Sequence, residues 1–151
     1  MKKLVTSGLM MAIKEHPPIG TVLICDFETD FRLPEMVKVR PVIVISPKIF
    51  GRPGLCTVVA LSTTPPDPKM PFHAEISITP KLPPPWDAEK VWVKGDMVYA
   101  IGLHRLDFVR LGKNVQGKRM YRFATISSDQ LKLVRTLVLR SIGLSNLTRN
   151  L

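Results

Sequence analysis

From Gly20 to Ile126 the chain is written in short, β-rich runs, each cut off by proline, glycine or a small polar cluster before a helical period can establish itself. The runs are GTVLICDF (20–27), RPVIVIS (40–46), GLCTVVALS (54–62), HAEISIT (73–79), KVWVKGDMVYAIG (90–102) and MYRFATI (120–126). Strands this short have no independent stability. They predict one sheet-based domain, a small barrel or sandwich. The connections TTPPDPKMP (63–71) and TPKLPPPW (79–86) are rich in proline, which blocks further pairing and stiffens loops.

The period changes at the end of the chain. Ser127 with Gln130 three residues on has the form of a capping box, and Gly143 is a helix stop, so a C-terminal helix is predicted over about 127–142. Leu131, Val134, Val138 and Ile142 fall on one face, with Lys132, Arg135 and Arg140 turned away from it. Pro17 and Pro18 stop whatever short helix the first fifteen residues form. Residues 1–18 therefore read as an N-terminal extension and 19–151 as the domain. Thr6, Ser7 and Gly8 interrupt the early apolar stretch, which does not have the form of a secretory leader. No apolar run reaches the roughly 18 residues of a membrane span, so the cytoplasm is the expected compartment. Cys25 and Cys56 sit inside apolar runs and are expected to be reduced core residues.

A formal charge of +10 exceeds what solubility needs. From Ile101 onward ten Lys and Arg face only Asp107 and Asp129. The excess suggests a polyanionic or acidic partner. His16, His73 and His104 are far apart, no Cys/His or carboxylate spacing resembles a ligand set, and IFGRPG lacks the lysine and following helix of a phosphate loop. Neither a metal nor a cofactor is expected.

What remains is a set of polar residues at strand ends. Arg40 opens RPVIVIS; Ser62, Thr63 and Thr64 close TVVALSTT; Lys94 and Asp96 interrupt VWVKGDMVYA. An apolar strand with a polar tip delivers that group to the rim of a sheet, where loops gather and ligands bind. The bland alternative is an inert rim ion pair between Arg40 and Glu35. Trp92, in an alternating strand, is expected to pack in the core. Trp86, between prolines and an aspartate, is the better candidate for stacking on a base.

GTVLICDF, PEMVKVRPVIVIS, VVALSTTPP and KGDMVYAIGLHRLD occur in that order, and through them the chain resembles the MazF/PemK family of type II toxin–antitoxin toxins from about Ile19 to Leu144. The resemblance implies an SH3-like small barrel with a C-terminal α-helix, a homodimer, and a sequence-selective endoribonuclease acting on single-stranded RNA without a cofactor. It also implies a cognate antitoxin protein as partner. The family's catalytic arginine falls on Arg40 and the glutamate ahead of it on Glu35. Its strand-end threonine falls on Ser62, or on Thr63 if the alignment slips by one. Its acid and base fall on Lys94 and Asp96. Glu35, Lys38, Thr64, Trp86 and Arg105 complete the expected RNA-contacting set. Met36, Val37 and Lys38 stand where many members carry glycines, which predicts a stiffer loop. Two alternatives stay open: a gyrase-inhibiting toxin of the same fold, and a non-catalytic barrel that binds nucleic acid or an acidic protein by charge.

Overall fold

The computed structural model describes residues 13–151. The helix expected over the first fifteen residues lies, as far as residue 12, outside the described residues. The strands are β1 (Val22–Asp26), β2 (Val39–Val44), β3 (Leu55–Ser62), β4 (His73–Ser77), β5 (Lys90–Gly102), β6 (Leu106–Lys113) and β7 (Arg119–Arg122), followed by helix α1 (Ser128–Ser141). They form one antiparallel sheet in the order β4-β5-β3-β2-β1-β6-β7.

The mainly β architecture with a C-terminal helix is as expected, but the sheet is open and "barrel" describes its curl only loosely. β4 and β7 are its edges. Side chains, not a ladder, bring those edges together. Arg122 of β7 donates from Nη1 to the Thr79 carbonyl at 2.7 Å, and Gln130 of α1 donates from Nε2 to the Ser77 carbonyl at 2.7 Å. Arg122 is 4% exposed, and burial pulls its pKa below the ordinary arginine value.

The sheet buries both faces. Ile43, Val59, Leu61, Val93, Val134 and Leu137 belong to a core on the α1 side, while Leu23, Cys25, Val42, Val44, Val58 and Ala60 belong to a second core on the other face. This is why RPVIVIS reads as an unbroken apolar run: Val42 and Val44 serve one core and Ile43 the other. Cys25 and Cys56 are free and buried, as expected.

The helix begins with the expected capping box. Ser127 Oγ accepts from Gln130 N–H at 3.1 Å and Gln130 Oε1 accepts from Ser127 N–H at 3.1 Å. Its inward stripe differs from the expected one. Val134 and Leu137 are the fully buried positions, whereas Ile142 is the C-cap residue and is 62% exposed. The expected set of six strands omits β6, because Asp107, Arg110 and Lys113 break up its apolar signal. Its buried positions, Leu106 and Val109, are three apart and violate simple alternation. Residues 13–18 pack onto the domain: Ile13 lies against the second core and the His16 ring is 3.3 Å from Ser46 Oγ.

Candidate active site

Arg40 enters β2 one residue before Pro41. Proline has no N–H to give a ladder, and the β2–β3 pairs begin just past it, at Val42↔Ala60. Continuing that register sets Arg40 across from Ser62, the last residue of β3. There a side-chain bond replaces the ladder: Arg40 Nη1 donates to Ser62 Oγ at 3.3 Å. Ser62 is 2% exposed, and its Oγ also accepts the Thr64 N–H at 3.1 Å. The hydroxyl is therefore aimed by its own turn. Ser62, not Thr63, is the strand-end hydroxyl in contact with Arg40. Arg40 Nε is buried without a protein acceptor, and Arg40 turns to Ser62 where an ion pair with Glu35 was the bland expectation.

The neighbouring strand supplies the second pair of candidates through a bulge. β3 and β5 pair at Ser62↔Trp92, Leu61↔Val93 and Val59↔Val98, so Lys94, Gly95, Asp96 and Met97 stand against Ala60 alone. Such bulges re-aim side chains and concentrate beside active sites. Val93 and Val98 belong to the helix-side core, whereas Met97 and Tyr99 pack against the second core, which shows the change of parity across the bulge. Gly95 is forced by packing: a Cβ there would lie 2.7 Å from the Phe72 carbonyl oxygen and 2.8 Å from the Leu137 carbonyl carbon and Cβ. Lys94 is half-buried, and Asp96 is exposed on the far side of that glycine.

Lys94 lies diagonally from Ser62 across the β3–β5 ladder and directly opposite His73 across the β4–β5 ladder. His73 Nε2 is 3.3 Å from Asp96 Oδ1. Arg40, Ser62, Lys94, Asp96 and His73 thus share one region of the sheet. His73 was overlooked in the sequence because its proximity to Asp96 depends on a strand pairing that no local motif announces.

The loop between β1 and β2 is pinned over the second core. Phe27, Phe31 and Tyr99 form an aromatic triangle with centroid separations of 5.2, 5.1 and 5.7 Å. Tyr99 Oη accepts the Met36 N–H at 3.0 Å, and burial raises the Tyr99 pKa despite that bond. Met36 is buried. Glu35 is exposed and accepts the Arg32 N–H at 3.0 Å, which closes its own turn.

The remaining sequence candidates fall in different places. Lys38 and Thr64 are exposed, on either side of the Arg40–Ser62 pair in the chain. Arg105 is engaged internally: its Nη1 donates to the Thr29 carbonyl at 2.9 Å and the Asp26 carbonyl at 3.3 Å, and its guanidinium lies 4.9 Å from the Phe31 ring centroid. Trp86 packs against the helix-side core, away from the face that carries Arg40. Trp92 is not the core residue expected. Val91 and Val93 take the core positions, and Trp92 is left half-buried opposite Ser62, with Lys69 Nζ 5.6 Å above its ring. Among the described residues, no group of three or more His, Cys, Asp or Glu is placed to hold a metal ion, and no helix is long and apolar enough to cross a membrane.

Comparison with known proteins bears on the family and the fold. The family model described as PemK-like, MazF-like toxin of type II toxin-antitoxin system matches residues 19–141. The uncharacterized protein YifN of Escherichia coli (strain K12) is 31% identical over 118 residues, covering 66% of this chain and 78% of that protein. Among solved structures, MazF from Deinococcus radiodurans superposes with a TM-score of 0.57 at 21% identity, over 85% of this chain and 97% of that one. An endoribonuclease from a mycobacterial species gives a TM-score of 0.53 at 18% identity, over 90% and 96% of the two chains. At these identities the structural likeness establishes the fold.

Proposed function

The chain belongs to the PemK-like, MazF-like toxins of type II toxin–antitoxin systems, and from that premise we propose that it is an endoribonuclease that cuts single-stranded RNA without a metal cofactor. The observation that carries this reading is the Arg40–Ser62 contact beside the bulge that bears Lys94 and Asp96. RNA can be cleaved through its own 2'-hydroxyl if a base, an acid and fixed positive charge surround the phosphate. These side chains offer all three.

In the proposed reaction Asp96 takes the proton of the ribose 2'-hydroxyl, and the freed oxygen attacks phosphorus. The bond to the 5'-oxygen breaks and Lys94 protonates that leaving group. Arg40, permanently charged and planar, and the Ser62 hydroxyl hold the non-bridging oxygens as charge builds on the phosphorane. The products carry a 2',3'-cyclic phosphate and a free 5'-hydroxyl. An ionised carboxylate is a weak base at neutral pH, so most of the acceleration comes from orientation and preorganised charge. DNA lacks the attacking hydroxyl; it should bind and survive.

The substrate is single-stranded, because bases must leave a duplex to be read by side chains. Lys38 and Thr64, both exposed, and Trp92 with Lys69 above it are the groups best placed to meet such a strand. Arg105 contributes indirectly, by holding the β1–β2 loop. Membership of a toxin–antitoxin family supports a cognate antitoxin as protein partner and a homodimer as the working form, with the cytoplasm as the site of action.

The test is incubation of the purified protein with a long single-stranded RNA and the matching DNA in EDTA, beside Arg40→Ala. Discrete RNA fragments with 5'-hydroxyl ends, absent with DNA and with the variant, are the expected result. RNA that is retarded in a gel yet stays intact overturns the nuclease reading in favour of a binding module.

A further inference from the structure

We propose that His73 is the positioning residue of the Asp96 carboxylate, a role that rests on the nuclease reading above. The turn that precedes β4 fixes the histidine through one ring nitrogen and through its backbone. Met70 N–H donates to His73 Nδ1 at 3.0 Å, and the His73 backbone N–H donates back to the Met70 carbonyl at 3.0 Å. A ring nitrogen that accepts a hydrogen bond carries no proton, so the neutral imidazole must hold its proton on Nε2. That nitrogen faces Asp96 Oδ1 at 3.3 Å, which places its proton toward the carboxylate. One carboxylate oxygen is thereby engaged and the other is left for an incoming hydroxyl.

Burial and packing make this arrangement firm. The His73 side chain is 8% exposed against 39% for Asp96, so the histidine is the fixed member of the pair and the aspartate the accessible one. Phe72 stacks edge-on against the imidazole with centroids 4.8 Å apart. The Phe72 carbonyl accepts the Gly95 N–H at 3.0 Å, which ties the same turn to the bulge that presents Asp96. Base, orienting histidine and bulge are therefore one connected unit. A carboxylate on a bulge exposed to water would otherwise sample several rotamers, and misplacement by about 1 Å costs on the order of a hundredfold in rate.

Two substitutions separate the nitrogens. In His73→Asn the amide oxygen can still accept the Met70 N–H, but nothing reaches Asp96. In His73→Gln the amide N–H can reach Asp96, while the Met70 bond is lost. Cleavage of a short single-stranded RNA is measured for both, with wild type and Asp96→Asn as references, and folding is followed by thermal unfolding. The expected result is that His73→Asn keeps KM within about twofold and loses about 10- to 100-fold in kcat, while His73→Gln recovers most of that loss. A long-range proton–nitrogen correlation spectrum of wild type should show the Nε2–H tautomer of His73. If Asp96→Asn abolishes cleavage while His73→Asn leaves kcat unchanged, or if the proton sits on Nδ1, the positioning role is overturned. If wild type leaves the RNA whole, the nuclease reading fails and the role falls with it.

Discussion

Replacing Gly95 with alanine tests the contact on which the site geometry depends, where α1 crosses the bulge of β5. Two opposed effects set the outcome. Gly95 has no positive φ, so alanine fits its backbone and would restrict the unfolded chain, a gain of about 0.4–1 kcal/mol. Against this, the added Cβ would lie 2.7 Å from the Phe72 carbonyl oxygen and 2.8 Å from two atoms of Leu137. Two of those three atoms are backbone and cannot rotate away. Overpacking of this kind costs about 1–3 kcal/mol, and backbone obstruction argues for the upper end. The net effect is a loss of about 2 kcal/mol, which lowers Tm by about 4–8 °C in a chain of this size. Thermal and urea unfolding at a fixed protein concentration measure it. Cleavage activity should fall further than stability alone explains, because Phe72 and Gly95 flank His73 and Asp96. An alanine variant as stable as wild type, or more so, would mean that α1 is not seated on the bulge, and the account of how Asp96 is presented would fail with it.

Arg40→Lys keeps the charge but loses the planar fork, and RNA cleavage should fall by about tenfold or more with folding intact, as read by initial rates and thermal unfolding. Arg105→Ala releases the 26–31 loop and should reduce activity without changing the slope of RNA affinity against salt, whereas Lys38→Ala should flatten that slope by about one charge. Ser127→Ala removes the hydroxyl half of the capping box, leaves the Gln130 Oε1 bond to the backbone N–H of residue 127, and should cost about 1 kcal/mol in urea unfolding. Burial pushes Cys25 up to about 12 and Cys56 up to about 11 from the model-peptide value of 9.0. These raised values contribute stability that is fully present below about pH 9 and is lost as pH climbs through 11 to 12, because only the unfolded chain releases the thiol protons over that range. Native protein should accordingly resist thiol-reactive dyes at pH 8 until it unfolds.

The parts of this molecule legible in its sequence are those fixed by local chemistry. The runs around Val22, Val42 and Val58 announce strands because both faces are buried, and Ser127 with Gln130 announces the helix start because a capping box is a four-residue device. The Arg40–Ser62 proximity was foreseen only through the family pattern. Its physical cause is a register across 22 residues of chain. β6 escaped notice because Gly112, at φ +89°, and a register shift after Arg110 break its alternation. Trp92 was misjudged since odd positions take the core before the bulge, and a lone sequence cannot say which parity faces the helix. His73 takes its meaning entirely from what β5 places opposite, which no local motif announces.

The site lies where the sheet fails as a sheet. In an unbroken ladder a buried polar side chain has no work for its hydrogen bonds, and leaving one unpaired costs about 1–3 kcal/mol. Pro41 ends the β2–β3 ladder at one corner, and four residues of β5 bulge against Ala60 at the adjoining one. Between these two interruptions the structure can bury the Ser62 hydroxyl and turn Arg40 onto it, because the missing ladder leaves donors and acceptors to satisfy. The helix holds the bulge open through its contact at Gly95, and the two cores on either side keep the interruption from spreading. An arginine at the mouth of an otherwise apolar strand is therefore a stable feature of this fold, with its partner hydroxyl fixed by a turn and the bulge that carries Lys94 and Asp96 on the strand paired with that hydroxyl.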